Sequence, residues 1–363
     1  MIAVSARAGT RRAVRAGRWS RAGHDLTGYR AGVEAVTAFP GPDGRTLLAS
    51  AGRDGAVRIW DSATGAQVGV PLTGHQDSGW GHQGTVTDVA AFPGPDGRTR
   101  LATCGNDGTV RIWDPATGAP VGKPLTSDNG FFGGVAVLPG PDGHARLVTG
   151  AYGETVRIWD LATGMPAREP LAVHSRRLWA ADGGWRWAAF AGPDGRTLLA
   201  ASDDLGLVRI LDPVADTEVC APLANRLRNQ KALAAFPGSD GRTLLATGDD
   251  EAVRIWDLAT GLPAAEPLTG YSGLVNVIEA FPGPDGRTLL ATGHTDGAAR
   301  IWDPATAACV LTIPLGFNVR DIAIVETVMV LAAEEGILAI HTPRLPVNGV
   351  PDQPRTTCHL RSW

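Results

Sequence analysis

"AFPGPDGRTLLASAGRDGAVRIWD", residues 38–61, holds two extended runs, Thr46–Ser50 and Ala56–Trp60, each preceded by a turn rich in Gly, Pro and Asp. A third run precedes the first turn, so the stretch reads as part of a small antiparallel sheet. Such a sheet cannot bury both faces by itself. Its meaning depends on how many copies the chain carries.

The "PDG" turn returns at Pro42–Gly44, Pro95–Gly97, Pro141–Gly143, Pro193–Gly195 and Pro284–Gly286, with "SDG" at Ser239–Gly241. Successive glycines are 53, 46, 52, 46 and 45 residues apart. Each turn leads through an apolar run to "VRIWD" or a near relative: Val57–Asp61, Val110–Asp114, Val156–Asp160, Val208–Asp212, Val253–Asp257 and Ala299–Asp303. A "DPATG"-like turn and a run ending in "PL" complete four strands per unit. A worn seventh copy spans Asn318–Thr342, with Ile337–Ile340 in the place of "VRIW" and no evident fourth strand. "LTGY" (Leu26–Tyr29) matches "LTGH" (Leu72–His75), which follows a fourth strand, so residues 19–27 are expected to complete the last sheet.

The unit resembles the WD40 repeat, of the bacterial (actinobacterial) type, over about residues 20–342. The resemblance implies an all-β, seven-bladed β-propeller of four-stranded antiparallel blades, its ring closed by the N- and C-terminal segments. Each blade would pack face to face on its neighbours, which explains why "VRIW" is nearly continuous apolar sequence. Three segments result: an Arg-rich N-terminal tail, 1–18; the propeller, 19–342; and an irregular C-terminal tail, 343–363.

Composition agrees with many short turns. Of 363 residues, 47 are Gly and 26 Pro, and 44% are hydrophobic, enough for a large core. A net charge of -4 predicts neither capture of nucleic acid nor an acidic tail. No apolar run approaches the roughly 18 residues of a membrane span, and arginines interrupt the N-terminus where a signal core would lie. Cys104, Cys220, Cys309 and Cys358 are far apart and read as free thiols of a reducing, cytoplasmic compartment.

By the resemblance, His82, Thr103, Asp107 and Trp113 fall where such repeats carry a hydrogen-bonded tetrad. Its His, Asp and hydroxyl imitate a nucleophilic triad. Parts of it recur as Ser50, Asp54 and Trp60 and as Thr292, Asp296 and Trp302, and a catalytic centre is not dealt out once per blade. Tyr29 and Tyr271 replace the His elsewhere, Gly153 an Asp, and Leu211 a Trp. The tetrad is therefore read as structural, with no catalytic residues, no metal site and no cofactor.

Function is sought where the sequence escapes the repeat. The loops before blades 2, 3 and 4 (Gly74–Gly84, Thr126–Gly134 and Ala172–Trp187) are long and hold Trp80, Phe131, Arg176, Arg177, Trp179 and Trp185. Phe132 and Trp187 align with apolar first-strand positions and read as core. The variable turns between second and third strands add Arg53, Asn106 and Tyr152, with Asp203, Asp204, Asp249 and His294 on the same side. Aromatics and arginines on neighbouring loops are the usual anchors of a protein interface. The expectation is a monomeric, non-catalytic scaffold for a protein or peptide, away from membranes and nucleic acid. Two alternatives are a propeller-platform enzyme with a site at the channel mouth, and nucleic-acid binding through the arginine-rich arm, Ala6–Gly23. That arm also reads as a decayed "AVRIWDSATG" corner.

Overall fold

The computed structural model describes residues 3–4, 14–15, 32–75, 84–126, 132–139, 145–151, 155–161, 165–166, 171–172, 187–192, 196–202, 208–213, 215, 217–219, 223, 232–283, 285–325, 328–334, 336–341 and 360–362. Among them there are strands and turns and no helix. The chain forms two compact units, Tyr29–Arg228 and Met1–Gly28 with Asn229–Trp363. The fold class is the expected one: all-β, in seven antiparallel blades whose consecutive strands are neighbours.

The unit Tyr29–Arg228 holds four blades. Blade 1 comprises Val33–Pro40, Thr46–Gly52, Ala56–Asp61 and Gln67–Thr73. Blade 2 comprises Val86–Pro93, Thr99–Gly105, Thr109–Trp113 and Leu125–Thr126. Blade 3 runs Phe132–Pro139, Ala145–Ala151 and Thr155–Asp160, with its outer strand in two pieces, Met165–Pro166 and Leu171–Ala172. Blade 4 runs Trp187–Ala191, Thr197–Ser202, Val208–Asp212 and Thr217–Glu218.

The other unit holds three. Blade 5 comprises Ala232–Pro237, Thr243–Gly248, Val253–Asp257 and Leu262–Pro263. Blade 6 comprises Val275–Pro282, Thr288–His294, Ala298–Asp303 and Ala308–Pro314. Blade 7 comprises Val319–Val325, Val328–Ala333, Gly336–His341 and Leu360–Ser362. The worn seventh copy is thus a blade, with Ile337–Ile340 on its third strand.

Its fourth strand corrects one expectation. Leu338 pairs with Ser362, Ala339 with Arg361 and Ile340 with Leu360, so the segment 343–363 ends in a strand. Without it the third strand would present a bare edge. Prolines at 343, 346, 351 and 354 hid the strand in the sequence. Residues 19–27, expected in this position, lie outside the described residues. Nor is the segment 1–18 all tail, because Ala3–Val4 and Val14–Arg15 pair antiparallel.

Stability comes mainly from burial between adjacent blades of each unit. Ala35, Ala49, Val57, Ile59 and Leu72 of blade 1 pack on Val89, Leu101 and Trp113 of blade 2. Leu289, Ala291, Ile301 and Ile313 of blade 6 likewise meet Val319, Ile322, Met329 and Leu331 of blade 7. Approach is closest at Gly293, where a Cβ would lie 2.5 Å from Val319 Cγ1. Burying one Leu or Ile side chain is worth about 1.5–3 kcal/mol, against about 1 for a hydrogen bond, so packing dominates.

The repetitive turns are held by the last residue of "VRIWD". Asp61 is buried, accepts the N–H groups of Ala63 and Thr64, and receives Arg45 Nη1 at 2.5 Å. The Thr64 and Ala63 amides and Arg45 keep its carboxyl below the ordinary range. Arg196–Asp212, Arg242–Asp257 and Arg287–Asp303 repeat the pair. In blade 2 Arg100, two residues later than the turn arginine, takes the role at 3.0 Å from Asp114.

Removing Leu360–Trp363 should lower the melting temperature by at least ~3 °C, about 1 kcal/mol for a protein this large, and speed amide exchange at Gly336–His341. An unchanged melting curve and exchange pattern would place the fourth strand elsewhere.

Candidate partner-binding loops and the buried sets that root them

A buried indole N–H needs an acceptor. Trp113 Nε1 donates to Thr103 Oγ1 at 2.9 Å, and His75 Nε2 lies 2.8 Å from the same hydroxyl. His75 Nδ1 is 3.0 Å from Asp107 Oδ1, which also accepts the backbone N–H and hydroxyl of Thr109. The set closes with a neutral imidazole: Nδ1–H donates to Asp107, and the Thr103 hydroxyl donates to Nε2 while accepting from the indole. Thr103 is fully buried, so this hydroxyl is not placed to meet a substrate.

The histidine is His75 rather than His82, which lies outside the described residues. "GHQ" occurs twice, at Gly74–Gln76 and Gly81–Gln83. His75 follows the outer strand of blade 1, which ends at Thr73, so it is delivered directly to blade 2 and the extra residues follow it. Thr103, Asp107 and Trp113 stand where expected.

Other blades keep the indole bond and change the rest. Trp60 donates to Ser50 at 2.7 Å, Trp159 to Thr149 at 2.8 Å, Trp256 to Thr247 at 3.0 Å and Trp302 to Thr292 at 2.8 Å. Where blade 2 uses a histidine on the turn aspartate, others use the arginine of "VRIWD": Arg58–Asp54 at 2.8 Å, Arg300–Asp296 at 2.7 Å, and Arg254–Asp249. In blade 6 Thr292 Oγ1 contacts His294 Nε2 at 2.7 Å, and Tyr271 stacks on His294 with ring centroids 4.4 Å apart. Burial, and then Arg300, push the His294 pKa down. His294 and Asp249, expected on the variable side of the turns, are both wholly buried. Asp249 caps its own turn through the N–H groups of Glu251 and Ala252. A strand-spaced histidine two residues after Thr292 was the overlooked signal.

The long loops spring from these sets. The loop carrying Trp80 leaves at His75 and returns at Gly84–Thr85. Thr85 Oγ1 donates to the Arg53 carbonyl at 3.3 Å and Thr85 O accepts Asn106 N–H at 3.0 Å, joining the turns of blades 1 and 2. Both roots lie against Gly55, whose added Cβ would meet Gly84 O at 3.1 Å and His75 O at 3.3 Å. Its φ of 78° also favours glycine. The loop carrying Phe131 runs between Leu125 and Phe132, both buried in one cluster. Phe132 is core, as expected, and its carbonyl accepts Thr87 Oγ1 at 3.0 Å. The third loop leaves Ala172, paired with Thr155, and re-enters at Trp187, paired with Ala201.

Of the expected contact residues, Trp80, Phe131, Tyr152, Arg176, Arg177, Trp179 and Trp185 lie outside the described residues. Arg53 and Asn106 are described and belong to the linked turns, and Arg53 pairs with Glu34 on a strand bulge. Among the described residues no group of three His, Cys, Asp or Glu is placed to hold a metal ion.

Residues 21–61 and 72–114 match the WD40 family, described as WD domain, G-beta repeat. The second match opens at Leu72, which puts His75 near the start of its repeat and agrees with the geometry. Similar curated proteins include Nuclear distribution protein PAC1 of Arthroderma benhamiae (strain ATCC MYA-4681 / CBS 112371), 41% identical over 103 residues, 27% of this chain and 20% of that protein. F-box/WD repeat-containing protein sel-10 of Caenorhabditis elegans is 35% identical over 88 residues, 24% of this chain and 13% of the relative. Nucleoporin Nup43 of Mus musculus is 32% identical over 106 residues, 29% of this chain and 25% of the relative. The chain therefore spans a quarter or less of these relatives. All three are eukaryotic, and nothing in these matches supports the expected actinobacterial type.

His75→Ala should lower stability by about 1–3 kcal/mol, because it leaves Asp107 and Thr103 without their shared partner. His82→Ala, which removes no bond of this set, is the comparison. Denaturant midpoints measure both, and equal midpoints would contradict the assignment.

Proposed function

We propose that the chain is a non-catalytic, cytoplasmic scaffold of the WD40 type throughout, which holds a protein or peptide partner on the loops before blades 2, 3 and 4. One observation carries the reading. The arginines and aspartates of the repetitive turns satisfy one another, as in Arg45–Asp61 and Arg100–Asp114, whereas the long loops diverge from the repeat and start and finish at paired or buried residues. A variable loop on fixed roots loses little conformational freedom on binding, which favours affinity.

Trp80 and Trp179 align with no repeat position and are the proposed anchors, with Arg177 adding a charge-assisted contact. The buried His–Asp–Thr set belongs to the scaffold in this reading, and the arginine-rich N-terminal segment is not its binding element.

The test is affinity capture with quantitative mass spectrometry on the full chain. Trp80→Ala and Trp179→Ala should each weaken retention of the captured protein by about 2 kcal/mol, some 30-fold, without moving the melting temperature. Arg45→Ala should leave capture intact. Capture that survives both tryptophan changes and fails with Arg45→Ala would move the site to the repetitive turns.

A further inference from the structure

Extended chain docks on sheet edges, because unpaired N–H and C=O groups recur along them. The outer strands here are blunted to different degrees. Blades 2, 3 and 5 carry proline pairs, Pro120 and Pro124, Pro166 and Pro170, Pro263 and Pro267, and blade 4 carries Pro222. In blade 1 Gln67–Thr73 contains Pro71 and a left-handed Gly69 with φ of 70°. Proline supplies no ladder donor, so each of these edges is broken.

Blade 6 is different. Its outer strand reads ACVLTIP, with no proline before Pro314, and pairs from Asp303↔Ala308 to Ala298↔Pro314 through a single irregularity. The turn before it also departs from the repeat, with Ala307 in the left-handed region at φ of 53° where blades 1, 2 and 5 have glycine. Along the strand the Leu311 carbonyl takes the Cys309 thiol at 3.6 Å, and that sulfur lies 3.4 Å from Thr312 Oγ1. A thiol is a weak donor. It is a substitute that a neighbouring strand would improve upon.

Close beside this strand runs Ala3–Val4, the first half of the short ladder with Val14–Arg15. It approaches without joining the sheet, which ends at Ala308–Pro314. The opening sequence, Met1-Ile2-Ala3-Val4-Ser5, is uncharged and carries two β-branched residues, a composition suited to extended pairing.

We propose that the outer strand of blade 6 is a strand-addition site whose occupant is the chain's own N-terminal segment around Ala3–Val4. The segment covers in cis the one long, proline-free edge among the described outer strands. Its displacement would open that edge to other extended peptides.

Two measurements on the full chain test this. With Ala3→Cys, mild oxidation should give an intramolecular disulfide to native Cys309, mapped by mass spectrometry. It should form ~10-fold faster than with Gly23→Cys, because a disulfide needs Cα atoms within about 7 Å. Independently, Val4→Pro should speed amide exchange along Ala308–Thr312 by ~10-fold while exchange in blade 5 stays constant. Equal oxidation rates, or unchanged exchange at Ala308–Thr312, would overturn the proposal. Disulfide-linked dimers through the same pair of positions would overturn the cis arrangement in favour of a second copy.

Discussion

A tryptophan indole buried between sheets has one N–H to satisfy, and the rest of each blade is arranged around that demand. In five of the seven blades the acceptor is a Ser or Thr hydroxyl on the adjacent second strand: Ser50, Thr103, Thr149, Thr247 and Thr292. Each hydroxyl residue pairs directly with the arginine of "VRIW", two residues before the tryptophan, as in Ser50↔Arg58 and Thr103↔Arg111. A slip of one residue would turn the hydroxyl to the other face and orphan the indole. The bond is worth about 1 kcal/mol, yet it specifies the register that lets the apolar faces meet.

Around this fixed bond the other members vary. The hydroxyl's second partner is a histidine brought in after the preceding blade's outer strand in blade 2, and a histidine on the second strand itself in blade 6. The turn aspartate takes either His75 or the local arginine. What persists is a carboxylate capping a tight turn and finding a cationic or N–H partner nearby. That tolerance explains how repeats with incomplete motifs still build blades.

Much of this was legible in the sequence. Blade number, strand order and the roles of Thr103, Asp107 and Trp113 follow from recurring turns and apolar runs. Three features did not follow, for physical reasons. Two identical "GHQ" triplets compete for one position, and only the end of the preceding strand at Thr73 decides for His75. The fourth strand of blade 7 is short and lies beyond a proline-rich stretch, so pattern alone could not find it. His294 and Asp249 sit beside tight turns, where polar residues usually meet solvent, but a stacked tyrosine covers one and turn capping draws in the other. The loops expected to bind a partner are legible as departures from the repeat, and the structure supplies their roots.

The central claim is that the hydroxyl–indole bond sets the blade. A double-mutant cycle on Thr103→Val and Trp113→Phe, read by denaturant unfolding, tests it most directly. The account predicts a coupling energy of about 0.5–1.5 kcal/mol, because either change alone leaves a buried partner unsatisfied and both together do not. Strictly additive losses would contradict it.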